Sequence, residues 1–307
     1  MWTSLGQTAD LGMLIVRTEP DAPKHQGITY FAIDMHQPGV EVRPLREMTG
    51  HAMFNETFLT EARVADSAII GDRSNGWAVA NTTLGHERAG LGAGGSGGGL
   101  GGATPGTVAG NLGRRAGDFA PKARTASADG ANGQQPGAKK RSKKEDRSGG
   151  GMASLLIGLA KGNGAIADPV VRQDLARLVT LGEIGRYNNE RLKAVRSAGG
   201  DIAGMGNISK LSMSNIVRLQ RDVGLAIVGA QGMLHAYEPG AQEVLDEATG
   251  NPFLPAVTTT ALYAQAPPIY GGTDQIQRNI IGERVLGLPK EPGPAKNTPF
   301  SDLPRNA

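Results

Sequence analysis

The chain has 307 residues, a formal net charge of +3, 39% hydrophobic but only 4% aromatic residues, and no cysteine. This length and composition predict one large domain or two smaller ones with an aliphatic core. The lack of cysteine excludes disulfide scaffolds, thiol nucleophiles, zinc ribbons and iron–sulfur clusters. No 18 apolar residues occur in a row and the N-terminus does not resemble a secretory signal, so we expect a soluble cytoplasmic protein with no membrane span.

The positive charge is concentrated in one short segment. Residues 139–147 carry six basic and two acidic side chains, or +4, so the rest of the chain is close to neutral at about −1. Such a run is one way to bind nucleic acid, but no aromatic residue interrupts it, which favours a solvated linker. We therefore expect no nucleic-acid partner. The five histidines are scattered and predict no metal site.

The first 70 residues have the pattern of β structure. Short β-branched or alternating runs occupy residues 11–17, 27–34, 40–46 and 56–64, with proline- and glycine-rich turns between them. Four strands at this spacing predict part of a small antiparallel barrel or sandwich.

A helical period begins at Gly76 and gives way to a segment of unusual composition. Residues 90–102 are mostly glycine, and each glycine costs a helix about 1 kcal/mol relative to alanine. In the sequence pattern these glycines neither follow a strand nor open a helix, so we expect no nucleotide-binding loop here. We interpret residues 92–150 as a flexible insertion.

Order returns at Met152, and helical patterns from Pro169 onward predict an antiparallel helical bundle. Helices are expected at residues 169–181, 182–197, 207–236, 257–266 and 274–286. The predicted class is α+β, a partial middle β-barrel or sandwich followed by a C-terminal four-helix bundle. The predicted divisions are an incomplete middle β domain (1–72), the first helix of the C-terminal domain (73–91), the insertion (92–150), the helical bundle (151–287) and an extended tail (288–307).

The most informative motif is Ile-Tyr-Gly-Gly-Thr-Asp-Gln-Ile-Gln-Arg at residues 269–278. Gly271 and Gly272 allow a ligand to approach the backbone closely, and Thr273 suits the N-cap of a following helix. The free N–H groups of that helix would then face whatever lies beside the two glycines. Local physics alone favours an ordinary loop followed by a capped helix over a ligand site.

This motif resembles the C-terminal signature of the acyl-CoA dehydrogenases, and other motifs follow in that family's order. Trp2-Thr-Ser resembles its flavin-side tryptophan motif. Arg17-Thr-Glu-Pro, Met48-Thr-Gly, Phe54-Asn-Glu and Gly76-Trp also agree in order and spacing. The resemblance covers residues 1–90 and 165–290.

The resemblance implies an FAD-dependent enzyme that forms homo- or hetero-oligomers, with FAD between subunits. It implies α,β-dehydrogenation of an acyl-CoA thioester in fatty-acid or related lipid catabolism, with electrons leaving through an electron-transferring flavoprotein. Arg88 and Tyr270 would lie on the substrate side. The implied cofactor-binding residues are Trp2, Thr3, Ser4, Gly271, Gly272, Thr273 and Gln275.

The resemblance also implies a carboxylate base, which takes the α-proton of the thioester while a hydride passes from the β-carbon to flavin N5. Many members carry this base directly after the signature tyrosine, but Gly271 stands there and accepts no proton. In the long-chain and isovaleryl branches the base is the Glu of an earlier Glu-Arg pair, here Glu87-Arg88. Glu87 is therefore the candidate base.

Three features depart from the family pattern. The chain begins at the tryptophan motif, the family's Arg-x-x-Phe-Gly motif survives at most as a remnant at residues 115–119, and a Gly-Gly-x-Gly turn is reduced to Gly229-Ala-Gln-Gly. We expect an N-terminally truncated member. Two hypotheses stay open, an acyl-CoA dehydrogenase that uses Glu87 and a non-catalytic or truncated subunit that pairs with a complete paralogue.

Overall fold

The fold follows from a computed structural model of the chain. It describes residues 1–92, 151–202, 204–290, 292, 293, 295 and 297–303, without the side chains of residues 86–92 and 239. Nearly all of the predicted insertion at residues 92–150 therefore lies outside the described residues.

Two small antiparallel sheets form the N-terminal part. Strand β1 (Thr3–Ser4) pairs with β5 (Phe54–Leu59), which also pairs with β4 (Val40–Pro44). Strands β2 (Leu11–Arg17) and β3 (Ile28–Asp34) form a separate hairpin. These bounds agree with the predicted strands except at β5. It begins two residues before the start of the predicted run 56–64 and ends five residues before the end of that run.

The two strands of the hairpin differ in burial, since β3 is the more buried strand. Tyr30 and Ile33 of β3 are buried, whereas Leu11, Met13 and Ile15 alternate along β2 and are exposed. Side chains at alternate positions of a strand share one face, so the exposed three form a single apolar stripe.

The described part of the chain contains seven α-helices. They are α1 (Gly76–Gly92), α2 (Met152–Gly162), α3 (Pro169–Ser197), α4 (Met205–Val228), α5 (Pro239–Thr249), α6 (Leu254–Tyr263) and α7 (Asp274–Arg284).

Helix α4 lies at the centre of the helical part. It contacts α1, α2, α3, α6 and α7. Its Val223 and Ile227 join Leu156 of α2, Leu178 of α3 and Val257 of α6 in one buried aliphatic cluster. This is the aliphatic core that the composition predicts.

The structure corrects three helix assignments. The predicted helices at 182–197 and 169–181 are one continuous helix, α3, which Asp168 caps by accepting from the Val170 N–H at 2.7 Å. The predicted helix at 207–236 ends at Val228 because Gly229 adopts a φ of +57° and starts a short 3-10 helix. Helices α2 and α5 were not among the predicted helices.

His235 connects the β part to the helices. Its Nε2 donates to the Thr49 carbonyl over 3.3 Å, and its Nδ1 lies 2.8 Å from the Thr258 hydroxyl on α6. The loop between β4 and β5 is thereby held against the helical part. None of the described helices is both long and apolar enough to cross a membrane, and the cytoplasmic location stays a prediction.

Candidate functional site

The predicted Tyr-Gly-Gly-Thr motif forms a tight turn directly before α7. Gly271 and Gly272 have φ values of +64° and +87°, a conformation that favours glycine. Thr273 is the N-cap, and its hydroxyl accepts from the Ile276 N–H at 3.2 Å, as predicted. Tyr270, Gly271, Gly272 and Thr273 thus come together as one unit, which we call the signature turn.

A buried amide holds the signature turn from the inside. The Gln277 side chain is 1% exposed, and its Nε2 donates to the carbonyls of Gly271 and Gly272 at 2.9 and 3.1 Å. Asn207 of α4 donates in turn to Gln277 Oε1 at 2.6 Å. Both ends of the amide are engaged, so its orientation follows from the hydrogen bonds.

Charged groups fix the ends of the same loop. Lys210 of α4 is fully buried, and its Nζ donates to the Pro267 carbonyl at 2.6 Å and lies 3.6 Å from Asp274 Oδ1. The other carboxylate oxygen of Asp274 accepts from Arg218 at 2.7 Å. Burial lowers the pKa of Lys210, and the Asp274 carboxylate opposes that shift. Asp274, assigned from the sequence only to the first turn of a helix, is part of a buried ion-pair network.

Tyr270 has a phenolic partner. Its hydroxyl forms a short hydrogen bond with the hydroxyl of Tyr263, at the end of α6. Burial raises the pKa of Tyr263; the hydrogen bond to Tyr270 lowers it and the Glu47 carboxylate raises it. The β4–β5 loop therefore brings a negative charge close to this tyrosine pair.

The predicted flavin-side residues, Trp2, Thr3 and Ser4, lie in or directly before β1, which is an edge strand of its sheet. Trp2 is 64% exposed and packs edge-on against Phe54, with ring centroids 5.9 Å apart. The carbonyl of Thr3 accepts from the buried Asn55 side chain at 3.0 Å, and Ser4 pairs with Phe54 in the sheet. Among the described residues, no hydrogen bond joins Trp2, Thr3 or Ser4 to Gly271 or Gly272.

Glu87 and Arg88 belong to α1, as predicted, but their side chains lie outside the described ones. Helix α1 contacts both β3 and α4, and α4 also contacts α7. The helix that carries Glu87 and the helix that follows the signature turn therefore share one neighbour.

Sequence reasoning missed the residues that support the turn, Asn207, Lys210, Arg218 and Gln277. A usable signal was present in α4, where polar residues at 207, 210, 214 and 218 recur every three or four positions. That spacing places them on one face of the helix. Asn207, Lys210 and Ser214 are all buried on this face.

The open side of the signature turn carries backbone donors. Within the described residues the N–H groups of Gly272 and Thr273 donate to no other group, whereas the Asp274 N–H donates to the Pro268 carbonyl. Gly272 and Gln275 are exposed. Donors without an internal partner suit a ligand with oxygen acceptors, and the exposed Trp2 indole suits a planar ring. FAD has both features, so the residues present fit it.

Comparisons with known proteins find similar chains among the acyl-CoA dehydrogenases. Residues 159–286, which include the signature turn, match the family model described as "Acyl-CoA dehydrogenase, C-terminal domain". The chain is 30% identical over 295 residues to acyl-CoA dehydrogenase FadE34 of Mycobacterium tuberculosis, covering 94% of this chain and 30% of FadE34. It is 30% identical over 291 residues to acyl-CoA dehydrogenase IpdE1 of Mycolicibacterium smegmatis, covering 95% of this chain and 57% of IpdE1.

Solved structures share the fold. The structure titled "Tcur3481-Tcur3483 steroid ACAD" is 22% identical, with a TM-score of 0.64 over 95% of this chain and 60% of that chain. The ChsE4-ChsE5 complex from Mycobacterium tuberculosis is 21% identical, with a TM-score of 0.59 and the same coverage. The chain thus spans 30% and 57% of the lengths of these two curated relatives, and 60% of each of these structures.

Proposed function

Because this chain belongs to the acyl-CoA dehydrogenase family, for which FAD is the cofactor, we propose that it catalyses, or forms part of a protein that catalyses, α,β-dehydrogenation of an acyl-CoA thioester. The observation that carries the proposal is the signature turn. Its outward N–H groups lie inside the matched region and suit the oxygen acceptors of a flavin or a thioester.

The domain plan is part of the same proposal. Residues 1–72 would belong to the family's middle β domain, and the two antiparallel sheets agree with part of a barrel or sandwich. Residues 73–91 and 151–287 would form its C-terminal four-helix bundle, with 92–150 inserted and 288–307 as a tail. The central position of α4 among the helices supports this plan.

The residues that would hold FAD are Trp2, Thr3, Ser4, Gly271, Gly272, Thr273 and Gln275. When bound, FAD supplies the hydride acceptor of the reaction. Trp2 would cover one face of a planar ring with its exposed indole, and the signature turn would donate backbone hydrogen bonds.

Glu87 would be the base. A carboxylate must accept the α-proton of the thioester, and Gly271 has no side chain to do so. Glu87 lies in α1, which contacts the same central helix as α7. Closing a dry pocket around the carboxylate would raise its pKa and strengthen it as a base. Arg88 and Tyr270 would line the substrate side and orient the thioester.

The partners are also proposals. The family resemblance supports an electron-transferring flavoprotein as electron acceptor and an oligomeric enzyme. The comparison with the ChsE4-ChsE5 complex favours a second candidate, a subunit that pairs with a different chain of the same family. The steroid ACAD among the structural neighbours makes a steroid acyl-CoA one substrate to test, beside branched and long straight-chain thioesters.

A spectroscopic experiment separates the two candidates. The purified chain is expected to show the visible bands of bound FAD, and these bands should bleach when an acyl-CoA from a panel of steroid, branched and straight-chain thioesters is added without oxygen. A colourless preparation that acquires FAD and activity only with a complete paralogue would favour the non-catalytic subunit. A colourless preparation that no paralogue restores would contradict both.

A further inference from the structure

Gln277 makes an unusual set of contacts for a buried glutamine. One nitrogen, Nε2, donates to two consecutive carbonyls, those of Gly271 and Gly272, while Oε1 accepts from Asn207. A hydrogen-bond chain thus runs from α4 through Gln277 of α7 to the signature turn. Asn207 fixes which end of the amide faces the glycines, since an amide oxygen there could not donate to a carbonyl.

Peptide geometry converts these contacts into an orientation of donors. In a trans peptide the C=O and N–H bonds point in opposite directions, and the described residues contain no cis peptide. Holding the carbonyls of Gly271 and Gly272 against Gln277 therefore turns the N–H groups of Gly272 and Thr273 to the opposite side. Successive N–H groups arranged in this way form a concave site for an anionic or carbonyl oxygen.

The glycines are required for this arrangement. Both have positive φ, and a Cβ on Gly272 would come within 2.7 Å of Gln277 Nε2. A side chain there would push the amide away from the carbonyls. The signature turn and Gln277 therefore fit together closely, and among the described residues the N–H groups of Gly272 and Thr273 donate to no other group.

We propose that Gln277 is a positioning residue, which aims the N–H groups of Gly272 and Thr273 at an oxygen acceptor of the bound ligands. The proposal rests on the proposed function, which supplies two such acceptors, an oxygen of FAD and the carbonyl of the acyl thioester. Gln277 itself touches neither. It acts through the backbone and keeps both donors in place before the ligand arrives.

The test replaces Gln277 and measures binding in the full chain. Gln277→Met keeps the length of the side chain but removes both hydrogen bonds to the turn. Asn207→Asp changes one group and favours the reversed Gln277 amide, whose oxygen would face the two glycine carbonyls. Gln242→Met on the exposed face of α5 is the matched control. Cooperative thermal unfolding identifies the variants that fold. If Gln277→Met does not fold, the test is made with Asn207→Asp.

Two titrations distinguish the two acceptors. The first titration measures the Kd of FAD in the absence of acyl-CoA. The second compares the Kd of an acyl-CoA thioester analogue with the Kd of the corresponding thioether, which lacks the carbonyl. If the N–H groups of Gly272 and Thr273 no longer donate to the ligand, two neutral hydrogen bonds are lost. The Kd of that ligand should then rise about tenfold or more. If FAD is the acceptor, both variants bind FAD more weakly; if the thioester is, they lose the preference for the thioester over the thioether.

A third readout needs no ligand. The backbone amide NMR signals of Gly272 and Thr273 in the chain without FAD should shift in both variants. They should not shift in Gln242→Met. Folded variants with wild-type FAD affinity, wild-type thioester preference and unshifted amide signals would overturn the role of Gln277 while leaving the proposed function intact. A wild-type chain that binds neither FAD nor acyl-CoA would overturn both.

Discussion

Lys210 and Asp274 form an ion pair that joins the central helix α4 to the first turn of α7. Their charged atoms are 3.6 Å apart, Lys210 is fully buried, and the Asp274 side chain is 5% exposed. Arg218 supplies Asp274 with a second cationic partner at 2.7 Å. Removal of Asp274 therefore leaves Lys210 without a carboxylate partner, whereas removal of Lys210 leaves Asp274 paired with Arg218.

This difference predicts unequal effects on stability. Asp274→Ala leaves the Lys210 ammonium buried without a carboxylate and should lower the free energy of unfolding by about 3–5 kcal/mol. Lys210→Met should cost less, because Asp274 keeps its hydrogen bond to Arg218. Urea unfolding measures both values.

Asp222→Asn is the matched control, since it removes an exposed ion pair to Arg221 and should change stability by about 1 kcal/mol or less. Equal losses for Asp274→Ala and Lys210→Met would show that Arg218 does not compensate. A loss in Asp274→Ala no larger than that of the control would contradict the buried network.

Two glycines in helices should respond in opposite directions to the same substitution. An alanine Cβ at Gly224 would come within 2.9 Å of Val257 and 3.4 Å of Leu156, so Gly224→Ala should destabilise the chain by about 1–3 kcal/mol. At Gly182 of α3 a Cβ meets nothing within 4 Å, and Gly182→Ala should stabilise by about 0.5–1 kcal/mol. Thermal unfolding of the two variants side by side provides the measurement. If Gly224→Ala stabilised the chain as Gly182→Ala is expected to do, α6 would not approach α4 as described.

The Tyr263–Tyr270 pair predicts an alkaline pH dependence. Folding raises the pKa of Tyr263, chiefly through burial, so above the ordinary tyrosine pKa of about 10 the folded state holds more protons than the unfolded state. The free energy of unfolding should therefore fall as the pH rises through this window and be unaffected below it.

Tyr263→Phe removes this contribution and should flatten the alkaline limb of a stability–pH curve. Tyr187, which is 60% exposed on α3, offers the control Tyr187→Phe, and that variant should keep the wild-type slope. Identical alkaline slopes in all three proteins would contradict the raised pKa.

The sequence allowed the site backbone to be predicted better than its support. The N-cap at Thr273 and the freedom of Gly271 and Gly272 are local properties, which residue type and short spacing reveal. The pairing of Gln277 with Asn207 joins residues 70 positions apart, and only the fold brings them together. Burial of Lys210 runs against the usual exposure of lysine, so composition gave no reason to expect it.

The same distinction applies to the elements. Strands β2, β3 and β4 were predicted nearly as observed because alternation and turn residues are local signals. The end of α4 at Val228 was not predicted, because the residues after it still have the apolar spacing of a helix. The helix ends there because Gly229 has a positive φ. Helix α5 lacks buried residues among those described, which left it without a strong pattern.

We propose that Glu87 takes the α-proton of the thioester, and anaerobic single-turnover bleaching of the flavin measures this step. Glu87→Gln should bind FAD like the wild type but bleach at least about 100-fold more slowly. Glu47→Gln removes the half-buried carboxylate near the tyrosine pair, keeps an oxygen to accept from the Met53 N–H, and should bleach at nearly the wild-type rate. Unchanged bleaching in Glu87→Gln, or loss of bleaching in Glu47→Gln alone, would contradict the role of Glu87 as the base.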